Sequence, residues 1–164
     1  GTDRTHPMGE RIRNAVFNKL SSEIDFAGIR VLDAFAGSGV LGLEALSRGA
    51  EEVVFVERDR VAQKVITNNI TTLGVAKKTK LVNAPVNSWI TTVTDEFDLI
   101  FVDPPYHDTQ LSTVTKIIGL LKPNGLMVLS LPSRSETPTG LGVVVVDNRR
   151  YGNAAIIYYR REDA

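Results

Sequence analysis

The segment Asp103-Pro104-Pro105-Tyr106 has the clearest chemical use of any in this sequence. It follows the apolar run Phe97–Val102, which predicts a buried strand, so the segment should lie where that strand ends. Because each proline lacks an N–H, the turn offers mainly acceptors, and an ionised Asp103 would add its carboxylate oxygens. Tyr106 adds a flat aromatic face. These groups suit a planar substrate with an amino group, although an ordinary strand-ending turn is the simpler alternative.

A glycine-rich segment nearer the start of the chain predicts a turn that binds a cofactor. Gly37, Gly39 and Gly42 have G-x-G-x-x-G spacing between a predicted strand and a predicted helix, where glycines let the backbone approach a ligand closely. Asp33 stands before them, at the end of the strand. A carboxylate there would repel a pyrophosphate and attract a cationic or amine-bearing ligand, which argues against a dinucleotide.

Two more polar residues end predicted strands. Glu57 lies about twenty residues after the glycines, where a carboxylate can accept hydrogen bonds from both ribose hydroxyls of an adenosine. This position does not distinguish NAD from S-adenosylmethionine. Glu57 could instead cap the next helix, but Asp59 could also fill that role. Asn83 ends the following strand, where a group that contacts adenine is expected, although asparagine is also common in turns.

The elements that would position these residues alternate between strand and helix. Strands are predicted at residues 29–33, 53–57, 79–83, 97–102 and 125–130. Helices are predicted at about residues 9–21, 40–48, 60–73, 88–93 and 111–121. Apolar runs at 143–146 and 154–159 predict a closing antiparallel hairpin with 147–153 as its loop, and 132–140 predicts a mobile loop. The fold class expected is α/β, a Rossmann-like doubly wound, mostly parallel sheet of about seven strands.

Composition limits the class of protein. The chain has 164 residues, of which 43% are hydrophobic and 23% charged, as expected for one globular domain over residues 1–164. It has no cysteine, and His6 and His107 lack metal-ligand spacing, so neither a disulfide nor a zinc site is expected. There is no membrane-spanning run and no evident signal peptide, and we expect a cytoplasmic protein.

The net charge is zero, but basic residues cluster locally. A local basic face could bind phosphates, whereas an ordinary solvated surface is the simpler explanation for any one cluster. The clusters are Arg4, Arg11 and Arg13 in the first segment, Lys77, Lys78 and Lys80 around a loop, and Arg149, Arg150, Arg160 and Arg161 around the last hairpin.

The order of these motifs resembles a known class of enzymes. Asp33, Gly37-Ser38-Gly39, Glu57 and the segment 103–106 together resemble class I S-adenosylmethionine-dependent methyltransferases that modify exocyclic amines. More narrowly, residues 32–50 (LDAFAGSGVLGLEALSRGA) are similar to the RsmD family of 16S rRNA guanine-N2 methyltransferases, as are residues 6–18 and Arg150-Tyr151-Gly152.

The sequence departs from that family at its start. The family usually has a short basic β-rich segment ahead of residue 6, which this sequence lacks, and often has threonine where Met8 stands. Part of the RNA-binding surface is therefore expected to be missing.

The resemblance implies an enzyme that methylates the N2 amine of a guanine in small-subunit ribosomal RNA, as a monomer and without a metal. Its partner would be the RNA or the small-subunit particle. Asp103 and the Pro104 carbonyl would accept the amine N–H groups, and Tyr106 would stack on the base. The implied cofactor ligands are Asp33, Phe35, Ala36, Gly37, Ser38, Gly39, Glu57, Arg58, Asn83, Ala84 and Asp103. The implied RNA ligands are Pro105, Arg11, Arg13, Arg150 and Tyr151.

Other functions remain open. A DNA or protein amine methyltransferase, for example one acting on adenine N6, would use the same acceptor turn for another planar amine. An NAD(P) oxidoreductase is disfavoured by Asp33 and by the lack of an evident acid or base for hydride transfer. A noncatalytic RNA-binding or assembly module is disfavoured by the intact turn at 103–106.

Overall fold

A computed structural model describes residues 8–140 and 142–162, so Arg4 and the His6-Pro7 pair lie outside the described residues. Strands and helices alternate along most of the chain, as the sequence predicts. The helices are α1 (Glu10–Glu23), α2 (Val40–Ser47), α3 (Arg60–Leu73), α4 (Val86–Trp89) and α5 (Leu111–Ile118), with a short 3-10 helix at Ala76–Lys78. The strands are β1 (Arg30–Ala34), β2 (Glu52–Glu57), β3 (Thr79–Asn83), β4 (Phe97–Val102), β5 (Leu121–Pro132), β6 (Val143–Tyr151) and β7 (Ala154–Arg161).

The described residues form one seven-stranded sheet in the order β3-β2-β1-β4-β5-β7-β6. Strands β1 to β5 pair in parallel, β7 runs antiparallel to β5, and β6 runs antiparallel to β7. This arrangement confirms the predicted doubly wound sheet with its C-terminal antiparallel hairpin. The strand order reverses between β1 and β4, the place where open α/β sheets form their binding crevice.

Helices cover both faces of the sheet because each presents an apolar stripe. Buried residues of α1, α2 and α3 share one core cluster with β1, β2 and β4, and those of α4 and α5 belong to the cluster on the other face. In α1 the predicted stripe of Ile12, Val16, Phe17 and Leu20 is buried. The Phe17 ring lies 5.6 Å from the Phe101 ring of β4, so α1 packs against the centre of the sheet.

Helix α3 ends where its capping residues predict. The Asp59 carboxylate accepts a hydrogen bond from the Ala62 N–H, and Gly74 ends the helix in the left-handed conformation. Two other helix predictions are wrong in their bounds. The helix predicted at 88–93 lies at Val86–Trp89, directly after Pro85, and the one predicted at 111–121 stops at Ile118 because Leu120 already pairs with Phe97 of β4.

The last hairpin is longer than its sequence suggests. Residues 147–151, predicted as loop, continue β6, and the turn shrinks to Gly152 and Asn153. The pattern is hard to recognise because β6 is an edge strand whose polar residues stay exposed, and because its register shifts between Val145 and Asp147. Strand β5 likewise begins earlier than predicted, at Leu121, with Asn124 at a φ of 67°.

The crossover from β5 to β6 contains no helix over its described residues, 133–140 and 142. Side chains of the hairpin hold this segment, which the sequence predicts to be a mobile loop. The Tyr159 hydroxyl donates to the Pro138 carbonyl at 2.7 Å, and the Asn148 amide donates to the Thr137 hydroxyl at 2.7 Å. These two hydrogen bonds attach the crossover to β6 and β7.

Candidate active site

The two segments with predicted chemistry start side by side. Ala34, which ends β1, pairs in register with Val102, which ends β4. The glycine turn that follows β1 and the Asp103 turn that follows β4 therefore leave the same edge of the sheet, at the point of strand-order reversal. Segments about 70 residues apart in sequence meet there because parallel strands present their carboxyl ends together.

Backbone contacts give the turn after β1 its shape. The Ala36 N–H donates to the Val56 carbonyl of β2 at 3.0 Å, and the Gly39 N–H donates to the Ala36 carbonyl at 2.9 Å. Phe35, Gly37 and Gly39 all have positive φ. The left-handed conformation costs a residue such as Phe35 about 1–2 kcal/mol, so contacts around the turn must stabilise it.

The glycines of the motif serve different purposes. A Cβ on Gly42 would lie 2.5 Å from the Phe55 ring, and one on Gly39 would lie 3.2 Å from Ile66, so these two glycines let α2 pack closely on β2 and α3. A Cβ on Gly37 would meet no atom within 4 Å. Gly37 is therefore the glycine whose surroundings leave room for a ligand.

Glu57 connects this turn to the start of α3. Its side chain is 9% exposed, its Oε1 accepts a hydrogen bond from the Gly37 N–H at 2.7 Å, and its Oε2 accepts one from the Asp59 N–H at 2.8 Å. The capping of α3 belongs to Asp59, so Glu57 is not the helix cap that the sequence left open as an alternative. The Glu57 carboxylate instead faces the glycine turn.

Asp33 lies beneath the turn rather than in it. It is 1% exposed, and its Oδ2 accepts a hydrogen bond from the Gly42 N–H at 3.0 Å, which ties β1 to the first turn of α2. Burial raises the pKa of Asp33 well above its ordinary value; the Gly42 hydrogen bond opposes this rise, and the charges of Asp103 and Glu57 add to it. The structure thus gives Asp33 a packing role, and its direct contact with a cofactor stays a prediction.

The Asp103 turn is buried at its start and exposed at its middle. Asp103 is 6% exposed and Pro104 is buried, whereas Pro105 is exposed and its carbonyl accepts the Asp108 N–H at 3.0 Å. Together with Glu57, Asp103 makes this edge of the sheet acidic. An acidic, partly enclosed site favours a cationic ligand or one that donates hydrogen bonds.

Tyr106 is held by a residue that the sequence analysis did not single out. Its hydroxyl shares a hydrogen bond of 2.7 Å with the hydroxyl of Ser130, which is fully buried in β5. Burial raises the pKa of Tyr106 to about 12; the Ser130 hydrogen bond opposes this rise, and the charge of Asp103 adds to it. The phenol is therefore neutral at physiological pH. The sequence signal for Ser130 is a lone hydroxyl in the apolar strand at 126–131.

The other predicted cofactor residues lie at the same edge of the sheet, in the segments that follow β1, β2 and β3. Phe35 is half-buried against the apolar cluster of α4 and α5. The Ser38 carbonyl accepts the Asn69 amide at 3.4 Å, and Arg58 is exposed. Asn83 is exposed and pairs in register with Glu57, and Ala84 follows it. The fold brings these residues together, and their contacts with a cofactor stay predictions.

The predicted RNA ligands are not all brought together. Arg11 is exposed and Arg13 half-buried on α1, and Tyr151 of β6 packs on the same face of the sheet as α1. Arg150, the preceding residue in the strand, points to the other face, where its guanidinium donates to the backbone carbonyls of Ser133 and Ser135. Arg150 thus holds the crossover, and Arg149 takes the side that faces α1.

Neither a membrane span nor a metal centre is found in the parts of the chain that the structure describes. No helix within residues 8–140 and 142–162 is long and apolar enough to cross a membrane. Over the same residues, no group of three His, Asp or Glu side chains could hold a metal ion.

Comparison with known proteins identifies a family and relatives that are named as rRNA methyltransferases. The family model for conserved hypothetical protein 95 matches residues 1–160. Ribosomal RNA small subunit methyltransferase D of Escherichia coli strain K12 is 34% identical, over 95% of this chain and 79% of the relative. The putative rRNA methyltransferase YlbH of Bacillus subtilis is 31% identical, over 96% of this chain and 88% of the relative.

Solved structures agree with this fold. The putative methyltransferase YhhF from Escherichia coli superposes with a TM-score of 0.87 at 29% identity, over 96% of this chain and 89% of that one. The magnesium protoporphyrin IX methyltransferase of Synechocystis, solved with bound S-adenosylmethionine, has a TM-score of 0.70 at 14% identity, over 93% of this chain and 79% of that one. At that identity the second likeness concerns the fold alone.

Proposed function

Because the chain belongs to the family of conserved hypothetical protein 95, we propose that it methylates small-subunit ribosomal RNA with S-adenosylmethionine, and that its target is the N2 amine of a guanine. It is an rRNA methyltransferase with the class I methyltransferase fold. The observation that carries the proposal is that Asp103 and Pro104 directly follow β4, beside the glycine turn that follows β1. This arrangement would bring an amine acceptor next to a bound cofactor.

The residues at the glycine turn fit S-adenosylmethionine. Gly37 leaves open space, and Glu57 has a carboxylate at the end of β2 that can accept hydrogen bonds from ribose hydroxyls. Asn83 at the end of β3 would contact the adenine. The acidic charge of Glu57 and Asp103 suits a sulfonium cation. When bound, S-adenosylmethionine supplies an electrophilic methyl group.

The residues of the Asp103 turn fit a planar amine. The lone pair of the guanine N2 amine is delocalised into the ring, so the amine is a weak nucleophile that must be held in position. The Asp103 carboxylate and the Pro104 carbonyl would accept its two N–H bonds and direct the lone pair toward the methyl group. Alignment of this kind can lower a barrier by about 7–11 kcal/mol in favourable cases. The released proton would go to Asp103 or to water.

Tyr106 would support the base from the side. Base stacking on an aromatic side chain contributes about 1–3 kcal/mol in proteins that bind single strands. The hydrogen bond to Ser130 fixes the ring in its half-buried position. Since a stacked and paired guanine cannot reach such a turn, the substrate is an unpaired or flipped nucleotide.

We propose that the enzyme acts as a monomer in the cytoplasm, because its partner would be ribosomal RNA or the small-subunit particle.

The test of the function is to identify the methylated product. The purified protein is incubated with labelled S-adenosylmethionine and unmethylated small-subunit RNA, small-subunit particles, DNA or protein, and the labelled product is digested and identified by mass spectrometry. We expect N2-methylguanosine from the RNA or the particle. N6-methyladenosine, or label only in DNA or protein, would overturn the target. Calorimetric binding of NAD without S-adenosylmethionine would overturn the cofactor, and cofactor binding without transfer to any substrate would indicate a noncatalytic module.

The test of the mechanism is the Asp103→Asn variant. It keeps the size of the side chain and removes the charge that accepts the amine N–H, a type of hydrogen bond worth about 1.5–3 kcal/mol, so we expect kcat to fall about 10- to 100-fold. Asp108→Asn is the matched control, because Asp108 is exposed in the same turn. Near-normal transfer by Asp103→Asn, with unchanged cofactor affinity, would show that Asp103 is not the amine acceptor.

A further inference from the structure

We propose that the groove between α1 and β6 binds the phosphate backbone of the RNA substrate and leads it to the Asp103 turn. This inference rests on the proposed function. The groove is open to solvent and has a volume of about 390 Å³, and it is lined by Ala15, Asn18, Lys19, Ser22 and Arg149.

Ion pairs fix the direction in which the groove runs. Near the end of α1, Glu23 pairs with Arg160 of β7 at 3.4 Å, and one turn earlier Lys19 pairs with Asp147 of β6 at 3.6 Å. Helix α1 therefore runs antiparallel to β6, and its first turns lie level with Tyr151, the last residue of β6. The geometry places the N-terminal end of α1 and the C-terminal end of β6 at the same end of the groove.

That end of the groove lies at the edge of the sheet that carries the candidate active site. Tyr151 pairs with Ala154 of β7, and Ala154 pairs with Pro132, which ends β5. Because β5 is parallel to β4, Pro132 lies at the same edge as Asp103. Tyr106 and Tyr151 also pack against the same core cluster, on the face that α1 covers. A strand lying in the groove would reach the Asp103 turn without crossing the sheet.

The helix side of the groove is a single stripe. Ala15, Asn18 and Ser22 are spaced by three and four residues, so they lie on one face of α1, and Arg11, four residues before Ala15, continues that face toward the active-site edge. The short side chains of Ala15 and Ser22 leave the groove open. The exposed Arg11 adds a positive charge at its active-site end.

The strand side of the groove supplies the best phosphate ligand. The Arg149 side chain is 52% exposed, and its Nε donates to Asp147 at 2.8 Å, which orients the guanidinium. A guanidinium carries five N–H donors in a planar fork that matches a phosphate, and Nε uses one of them. Lys19 lies 3.6 Å from the Asp147 carboxylate and 3.8 Å from that of Glu23, which also pairs with Arg160. The three cations Lys19, Arg149 and Arg160 therefore face two carboxylates, and one net positive charge remains beside the groove.

The fold brings arginines from two basic clusters of the sequence to one side of the molecule. Arg149 from the third cluster lines the groove, and Arg11 from the first lies on the same face of α1 as the groove-lining Ala15, although 138 positions separate the two arginines in the chain. Three lysines lie in or just before β3, the outermost strand on the side of the sheet opposite β6, namely Lys77, Lys78 and Lys80. These lysines therefore provide controls of the same charge on a surface that the proposed path does not reach.

The test is the salt dependence of RNA binding. Affinity of the full chain for unmethylated small-subunit RNA or particles is measured between about 50 and 200 mM salt, where each phosphate contact contributes about 0.7–0.9 to the slope of log affinity against log salt. We expect Arg149→Gln and Arg11→Gln each to weaken binding and to lower the slope by about that amount. Arg149→Lys should retain most of the slope because it keeps the charge. Lys77→Gln and Lys80→Gln should bind like the wild type.

Two additional measurements separate a loss of contact from a loss of fold. Ala15→Glu places a carboxylate in the groove on a helix-compatible side chain, and it should weaken RNA binding while the affinity for S-adenosylmethionine and the melting temperature stay at their wild-type values. If the lysine variants lose affinity and the arginine variants do not, the groove is not the RNA path. If the wild type methylates RNA and all groove variants bind it normally, this inference fails and the proposed function stands. If the wild type neither binds nor methylates RNA, both fail.

Discussion

Replacing Glu57 with glutamine should destabilise the protein before any ligand is added. Both oxygens of the Glu57 carboxylate accept backbone N–H groups, from Gly37 at 2.7 Å and from Asp59 at 2.8 Å. Glutamine has the same shape but presents an NH₂ group in place of one oxygen, so one of these N–H groups would face a donor. The lost hydrogen bond to a charged acceptor costs about 1.5–3 kcal/mol at such a buried position.

This loss is large enough to measure directly. For a chain of this length, each kcal/mol shifts the melting temperature by about 2–4 °C, so Glu57→Gln should melt about 3–12 °C below the wild type. The measurement is thermal and urea unfolding of the ligand-free protein at pH 7. Asp59→Asn is the matched control, since it removes the neighbouring charge but keeps a good helix cap, and it should stay within about 1 kcal/mol of the wild type.

Unfolding and cofactor-binding measurements together separate the two roles assigned to Glu57. If Glu57→Gln and Asp59→Asn both melt with the wild type, the carboxylate does not hold the glycine turn in the ligand-free protein. If Glu57→Gln also binds S-adenosylmethionine with wild-type affinity, its predicted role as a ribose ligand fails as well. Loss of affinity without loss of stability would leave Glu57 a ligand that does not organise the turn.

Three further substitutions test contacts of the glycine turn and of the Asp103 turn. Burial raises the pKa of Asp33 above its ordinary value of 3.8, so the stability that this group contributes is fully present below pH 3.8 and is lost as the pH rises through the raised pKa. Urea titrations at several pH values should therefore show that Asp33→Asn gains stability relative to the wild type as the pH rises. A difference between the two proteins that does not change with pH would contradict this. Ser130→Ala should lower the free energy of unfolding by about 0.5–1.5 kcal/mol in the wild-type background, and by much less in a Tyr106→Phe background. Equal losses in both backgrounds would show that the hydrogen bond contributes nothing to stability. Gly42→Ala should cost about 1–3 kcal/mol, because its Cβ would lie 2.5 Å from a ring carbon; Gly152→Ala, which has open space, serves as the control, and equal melting temperatures would contradict the packing argument.

Local patterns were enough to predict most of the elements of this fold. The apolar stripe of α1, the cap of α3 at Asp59 and its end at Gly74 each depend on residues within a few positions of one another. The strand-helix alternation then limits the fold to a doubly wound sheet, because parallel strands need crossovers of one hand. The spacing of the residues left several planar amines open as the target, and both NAD and S-adenosylmethionine open as the cofactor. The resemblance to a family narrowed both choices.

Local patterns failed where an element lies at an edge or ends early. Residues 148–150 of β6 are polar because an edge strand exposes them, and in sequence they look the same as a loop. Helix α5 ends at Ile118 because the chain must return to pair with Phe97, a partner more than 20 positions away. In both places a long-range pairing outweighs the local preference of the residues.

The residue types that carry the chemistry were readable in the chain, but their roles depended on neighbours distant in sequence. Asp33 is recognisable in the sequence as an acidic residue at a strand end, but only the tertiary structure buries it between β2 and β4 and gives it the Gly42 N–H of α2 as a hydrogen-bond donor. Arg149 and Arg150 are adjacent and chemically identical, and the alternation of a paired strand sends one to the α1 groove and the other to the crossover. Periodicity reveals that a strand has two faces. Which neighbour covers each face follows from the order of strands in the sheet, because that order is set by the burial of the whole core and not by any short segment.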